Sequence, residues 1–377
     1  MRINFGDVKI GDTARKYINA ALDKNWISEG GNVKEFEQQF AAKFGYKHAI
    51  ATSSGTDADM ACCASLYDFG ASRGDEIIVP ACTFVASANA ILAAGFIPRF
   101  VDIKVETLNI DPAKIEAAIT DKTRAIMVVH LMGKPCDMDP ILKIARAHKL
   151  KVIEDACEAH GATYKGKVVG SIGDVGAFSF YAAHLVVAGE GGMVVTNDDK
   201  IDKVVRSVKS HGRPFGSIYF EFQRPGFNSR MNELTAAIGL EGIQDFDRNF
   251  KKRKNNLYKL LELTRELAEY CHFIKEEEYE KVCPHAFPLV LKDKRYNCDK
   301  LYRYLEGKGI QCKTLFGSLP TQHQVFKFLG YKPGQFPQAE YVGKNGLHFG
   351  VHQYLTEDDL LYISDTLKAY FNQKDFA

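Results

Sequence analysis

Between about residues 45 and 200, short apolar, β-branched runs recur, and most are followed by a stretch with helical spacing. The runs His48–Ala51, Glu76–Val79, Pro98–Asp102, Ala125–His130 and Lys151–Glu154 read as strands. The intervening segments Asp57–Tyr67, Ser87–Ala94 and Asp139–Ala147 read as helices. This alternation predicts a mainly parallel sheet with helices on both faces. Right-handed crossovers then bring the ligand-binding loops to the carboxyl ends of the strands. Further on, Val175–Tyr181 and Gly192–Thr196 read as two strands around a turn built from Ala188–Gly192. From Asn249 to about Tyr270, Leu257, Leu260, Leu261 and Leu267 fall near helical spacing, which predicts one long amphipathic helix. The strand Ala286–Leu291 and the helices Cys298–Lys308 and Asp358–Phe371 would complete a smaller α/β unit. The expected division is a large domain over 1–245 and a small one over 246–377.

Composition narrows the function. With 377 residues, 46% of them hydrophobic, the chain can bury a sizeable core, and its net charge of +2 does not suggest a nucleic acid or an anionic membrane as partner. The basic run Lys251–Lys254 reads as a solvated helix face. Nine scattered cysteines with no C-x-x-C or C-x-C spacing suggest neither a zinc site nor a local iron–sulfur motif, and fit a reducing cytoplasm. No signal-peptide pattern and no bilayer-length apolar run is present, so a cytoplasmic protein is expected.

Four local features carry candidate chemistry. Ser53–Ser54–Gly55–Thr56 lies between a strand and a helix, where backbone N–H groups attract phosphate; an ordinary turn is the simpler alternative. Glu154–Asp155–Ala156–Cys157–Glu158 ends an apolar strand, and there Asp155 can either face a cofactor or cap a helix. The third feature is Gly176–Tyr181, then His184, then Gly189–Gly192, in which Ser179 can offer a hydroxyl to phosphate. The fourth is Gly226–Glu233, which contains Asn228.

Together with GDEIIVPACTFVASANA (Gly74–Ala90), TLNIDP (Thr107–Pro112), HLMGKPCDMDPI (His130–Ile141) and EDACEAHGA (Glu154–Ala162), the ordered set resembles the DegT/DnrJ/EryC1/StrS family of sugar aminotransferases. The resemblance runs from Trp26 to the C-terminal helix. It implies an α/β fold-type I pyridoxal phosphate-dependent transferase, with the cofactor as pyridoxal or pyridoxamine 5'-phosphate. It further implies that Gly55, Thr56 and Ser179 cradle the phosphate, Phe84 stacks on the ring and Asp155 pairs with the ring nitrogen. Glu158 would lie near the ring hydroxyl. Asn228 would reach the phosphate in the neighbouring subunit, so a homodimer is implied. Read without the resemblance, Phe84, Phe178 and Phe180 would all suit the core.

One position departs from the family pattern. Ordinary members carry lysine five residues before the Gly-Glu-Gly-Gly turn; here that residue is His184, and Val175–Val195 contains no lysine. An imidazole cannot form lysine's covalent tether to the cofactor, but it can move a proton, and its ordinary pKa of about 6.5 suits a base near neutral pH. A branch of the family, typified by GDP-4-keto-6-deoxymannose 3-dehydratase, carries the same replacement. The resemblance thus implies a 3-dehydratase of a 4-keto-6-deoxy nucleotide sugar in deoxysugar or polysaccharide biosynthesis, with His184 as base and glutamate as amino donor. That branch typically reads FYPAHHITMGEGG, whereas this chain reads FYAAHLVVAGEGG and so lacks the second histidine and the threonine. The alternatives are a sugar aminotransferase whose lysine has been replaced, and a non-catalytic cofactor-binding homologue. No metal ligand set is expected. His160 and His211 are weaker candidates for lining the pocket, and Gly212–Arg213 for a loop near substrate phosphates. The loops near Trp26 and over 215–225 are expected to vary with the sugar.

Overall fold

The computed structural model describes residues 1–214 and 216–372. Residue 215 of the expected variable loop, and the last five residues of the expected small domain, lie outside the described residues. A seven-stranded sheet is built from β1 (His48–Thr52), β2 (Glu76–Pro80), β3 (Ile97–Val101), β4 (Thr123–Val129), β5 (Lys151–Asp155), β6 (Val175–Ser179) and β7 (Gly192–Thr196). Their spatial order is β1-β7-β6-β5-β4-β2-β3, and β7 alone runs against the rest. All five strands expected in the first half form, with ends displaced by at most two residues.

Burial on both faces explains why these strands are near-continuously apolar. Ile77 and Val79 of β2 and Met127 of β4 point into one core, while Ile78, Ile126 and Val128 point into another. The helices Gly55–Ser65 and Asp199–Val208 cover part of the first face. The helices Gly31–Phe44 and Glu233–Gln244 cover the neighbouring part of the opposite face through Phe36, Phe40, Ala236 and Leu240.

A second, antiparallel sheet contains β8 (Cys271–Phe273), β9 (Ala286–Leu291), β10 (Cys312–Thr314) and β11 (Gly346–Gly350), in the order β8-β9-β11-β10. The extreme N-terminus crosses to this sheet: Ile3 bridges Ile310 and is buried in its core. The long helix expected up to Tyr270 ends sooner. It spans Phe246–Leu263, and a short 3-10 turn, Arg265–Glu269, follows. The break lies at Thr264, whose hydroxyl donates back to the Leu260 carbonyl at 2.7 Å while its backbone leaves helical angles. The connection from β6 to β7 is also longer than the expected Ala188–Gly192 turn. It takes residues 180–191, and His184 lies in its middle. Among the described residues, no helix is long and apolar enough to cross a membrane.

Candidate active site

The carboxyl ends of β1, β2, β5 and β6 open onto one cavity of about 340 Å³. Gly55, Thr56, Phe84, Asp155, Glu158, Ser179 and His184 all line it. At the end of β1 the chain turns directly into the helix Gly55–Ser65, capped by Ser54, whose hydroxyl accepts from the Asp57 N–H at 3.0 Å. The free N–H groups of this first turn make an anion site. The packing is close enough to require glycine: a Cβ on Gly55 would sit 2.5 Å from Cβ of Ser179, and one on Gly192 2.2 Å from the Ser54 carbonyl oxygen. The Gly55 turn and Ser179 therefore form a single closely packed wall.

Strand alternation separates the two acids at the end of β5. Glu154 is fully buried away from the cavity, where it accepts from the N–H groups of Gly170, Ile172 and Gly173 and pairs with His130. Asp155 faces the cavity. It accepts from the Ser87 hydroxyl at 2.7 Å and the Cys157 N–H at 3.2 Å, and Thr83 backs Ser87 at 2.9 Å. No helix follows β5, so the alternative of a helix cap does not apply. Glu158 accepts from the Met132 N–H at 2.7 Å, and His285 Nε2 lies 3.5 Å from its carboxylate. Burial raises the Glu158 carboxyl to about 7, against the opposing pull of the Met132 N–H. Met132 holds that N–H in place from a left-handed backbone, φ 55°.

Phe84 is 55% exposed, edge-on to Phe316 at 5.6 Å, and free to stack on a flat ring. Phe178 and Phe180 are fully buried, so for these two the core reading is the right one. His160 is a core residue as well. Its ring stacks between Phe178 and Phe180 at 5.3 and 5.8 Å, and neither ring nitrogen has a partner.

His184 lies on the loop between β6 and β7. Its N–H donates to the Tyr181 carbonyl at 2.9 Å, and its Nδ1 is shut off from solvent without a partner. Burial first, and then the Arg253 charge, lower its pKa to about 3, so the expected ordinary histidine pKa is corrected. The imidazole is neutral at physiological pH, the form a base needs, but it is a weaker base than a solvated histidine. Arg253 corrects the reading of the basic run as a solvated face: it is 1% exposed, and its guanidinium donates to the Ala183 and His184 carbonyls at 3.2 and 2.9 Å and to Gln353 Oε1 at 2.7 Å. It clamps the loop from behind. Leu185 and Val186, two of the departures from FYPAHHITMGEGG, are core residues beneath that loop.

The second sheet supplies the opposite wall through His285, Lys313, Phe316 and His348, none of which the sequence singled out. The rings of His184 and His285 are 5.2 Å apart. Lys313 is the one lysine lining this cavity among the described residues, and its Nζ lies 4.6 Å over the Phe5 ring. Asp59 also lines the cavity; a charged residue in the otherwise apolar run Ala58–Ala64 was its signal. Asn228 is exposed and lies outside the cavity, as do His211 and Gly212. Arg213 is held by Phe220, with the guanidinium 4.9 Å over that ring.

The model of the DegT/DnrJ/EryC1/StrS aminotransferase family matches residues 8–368. The chain is 37% identical to a GDP-perosamine synthase of Caulobacter vibrioides, over 95% of each chain. It is 32% identical to the GDP-4-keto-6-deoxy-D-mannose 3-dehydratase of Yersinia pseudotuberculosis, over 94% of this chain and 93% of that one. A crystal structure of GDP-4-keto-6-deoxymannose-3-dehydratase with a trapped PLP-glutamate geminal diamine superposes with a TM-score of 0.89 at 30% identity, covering 97% of this chain and 100% of that one.

Proposed function

The chain belongs to the DegT/DnrJ/EryC1/StrS aminotransferase family, and from that premise we propose that it is a pyridoxamine phosphate-dependent 3-dehydratase of a nucleotide-linked 4-keto-6-deoxy sugar. The family and its solved relatives make it a pyridoxal phosphate-type, sugar-modifying enzyme of α/β fold-type I. The finer reading rests on one observation: His184 takes the place of the anchoring lysine and opens on the same cavity as Asp155, Phe84 and the Gly55 cradle.

In this reading the N–H groups at Gly55 and Thr56, with the Ser179 hydroxyl, hold the phosphate. Phe84 stacks on the ring, Asp155 holds the ring nitrogen protonated and Glu158 meets the ring hydroxyl. When bound, pyridoxamine phosphate supplies an amine for the substrate ketone and a sink for the electrons released at its methylene. His184 takes the proton from that methylene, and the Arg253 clamp keeps its imidazole in place. The C3 hydroxyl would then leave as water, taking the proton that His184 has gained, and glutamate would supply the nitrogen that is lost as ammonia. Asn228, exposed on its loop, contributes to the site of a second copy in a homodimer.

The nitrogen balance tests this reading. With glutamate and GDP-4-keto-6-deoxymannose, one 2-oxoglutarate and one ammonia are expected per 3-deoxy sugar. The similarity to a GDP-perosamine synthase favours the second reading, transamination. In that case 2-oxoglutarate appears without ammonia, the nitrogen stays on the sugar, and the dehydratase reading fails. Borohydride reduction of the protein loaded with pyridoxal phosphate, followed by peptide mapping, should label no lysine. A label on Lys313 would show that this residue has taken over the tether.

A further inference from the structure

Asp59 is a buried carboxyl that nothing in the reaction scheme uses. It projects from the apolar helix Gly55–Ser65 into the cavity and is 1% exposed; neither of its oxygens accepts from a donor, and its hydrogen-bonding neighbour is the Asp155 carboxylate. One ligand atom each of Asp59, Asp155 and Cys157 lie within 4.8 Å of one another. The titratable groups that face it are Asp155 and Cys157 at the end of β5, and Cys62 and Cys63 on its own helix. Burial raises all three of these thiols well above their ordinary range, so they are neutral. Among the described residues, no cation is among the groups facing it. A second carboxylate charge so close to Asp155 would be strongly repelled in a buried position. Of the two, Asp155 already accepts from the Ser87 hydroxyl and the Cys157 N–H. Asp59 has no such donor and is driven to the neutral acid, mainly by burial and then by the Asp155 charge.

We propose that Asp59 is a positioning residue of the cofactor site: a carboxylic acid that donates its proton to Asp155, so that the pair presents one negative charge, not two, to the ring nitrogen. This rests on the placement of Asp155 against that nitrogen given above. A donor on Asp155 draws charge from its carboxylate and weakens its hold on the ring proton. Asp59 thus sets how strongly the ring would withdraw electrons while His184 moves the proton.

The test uses holoenzyme loaded with pyridoxamine phosphate labelled with ¹⁵N in the ring, followed by NMR across pH. In Asp59→Leu or Asp59→Ala the donor is lost and the ring nitrogen should keep its proton to higher pH, by about one unit. Asp59→Asn, whose amide still donates, should match the wild type. Unchanged titration in the truncated variants, or a shift to lower pH in all of them, would overturn the proposal. A second measurement needs only folded wild type and Asp59→Asn: their infrared difference at pH 7 should contain the C=O band of a protonated carboxyl, and absence of that band overturns the proposal too. Stoichiometric zinc or manganese in the protein as isolated, lost in Asp59→Asn, would also overturn it. Asp155→Asn separates the two claims. If the ring nitrogen stays protonated in that variant, the placement of Asp155 fails, while the infrared band still decides whether Asp59 is neutral.

Discussion

The two walls of the cavity are built in different ways. The wall from the large sheet is assembled from short contiguous stretches at strand ends, and most of its side chains have defined partners: Asp155 with Ser87, Glu158 with the Met132 N–H, the His184 loop with Arg253. The wall from the second sheet draws single residues, Lys313 and His348 from two strands and His285 and Phe316 from the loops beside them. Its two histidines are buried and held neutral, and the Nδ1 of His348 has no partner. The first wall is pre-organised by hydrogen bonds, whereas the second is held mainly by packing.

Four experiments test that contrast. The largest effect is expected for His184→Asn: loss of a general base should lower kcat about 10³-fold while pyridoxamine phosphate still binds, as fluorescence titration would show. If activity survives, His285 or Lys313 on the opposite wall does the proton transfer. Next is Gly55→Ala, whose new Cβ would collide with Ser179. Cofactor affinity should fall at least tenfold, about 1.4 kcal/mol, by calorimetry. An unchanged affinity would mean that the cradle is not rigid.

Third is acidification. The pKa of His184 and of His348 is about 3 in the fold against 6.5 when solvated. Below pH 6.5 the unfolded chain binds protons that the folded chain does not, so stability is full above that pH and falls as pH drops toward 3. The slope is up to about 1.4 kcal/mol per pH unit for each group. The urea midpoint should therefore drop between pH 7 and 5, and by less in His348→Phe. The smallest effect is expected on the second wall: Lys313→Ala should raise KM for a nucleotide sugar a few-fold, roughly 1 kcal/mol, without moving cofactor affinity. A loss of cofactor binding there would tie Lys313 to the cofactor and remove the contrast.

Local pattern was enough to reveal the parallel core and the first wall. Fully buried strands must be apolar runs, and a phosphate cradle must be a glycine-containing turn between strand and helix, so β2 and Gly55 were readable where they stand. The family resemblance supplied roles for Asp155 and Phe84 that spacing alone left open between site and core. The helix break at Thr264 was not readable, because a threonine inside a leucine pattern does not disclose where its hydroxyl goes. Arg253 looked solvated because its neighbours in the chain are; its partners lie about 70 and 100 residues away.

The element alternation, the stretches that line the cavity and the exchange of lysine for His184 were legible in the chain itself. These are encoded within spans of a few residues, where periodicity and glycine content have a direct steric meaning. Only the tertiary structure decided that Asp59 faces Asp155, that His285 faces His184, that Phe84 is free while Phe178 and Phe180 are core, and that the imidazole at 184 is neutral. Each of these depends on which distant side chains exclude water from a site, and that is a property of the packed interior and not of any local stretch of chain.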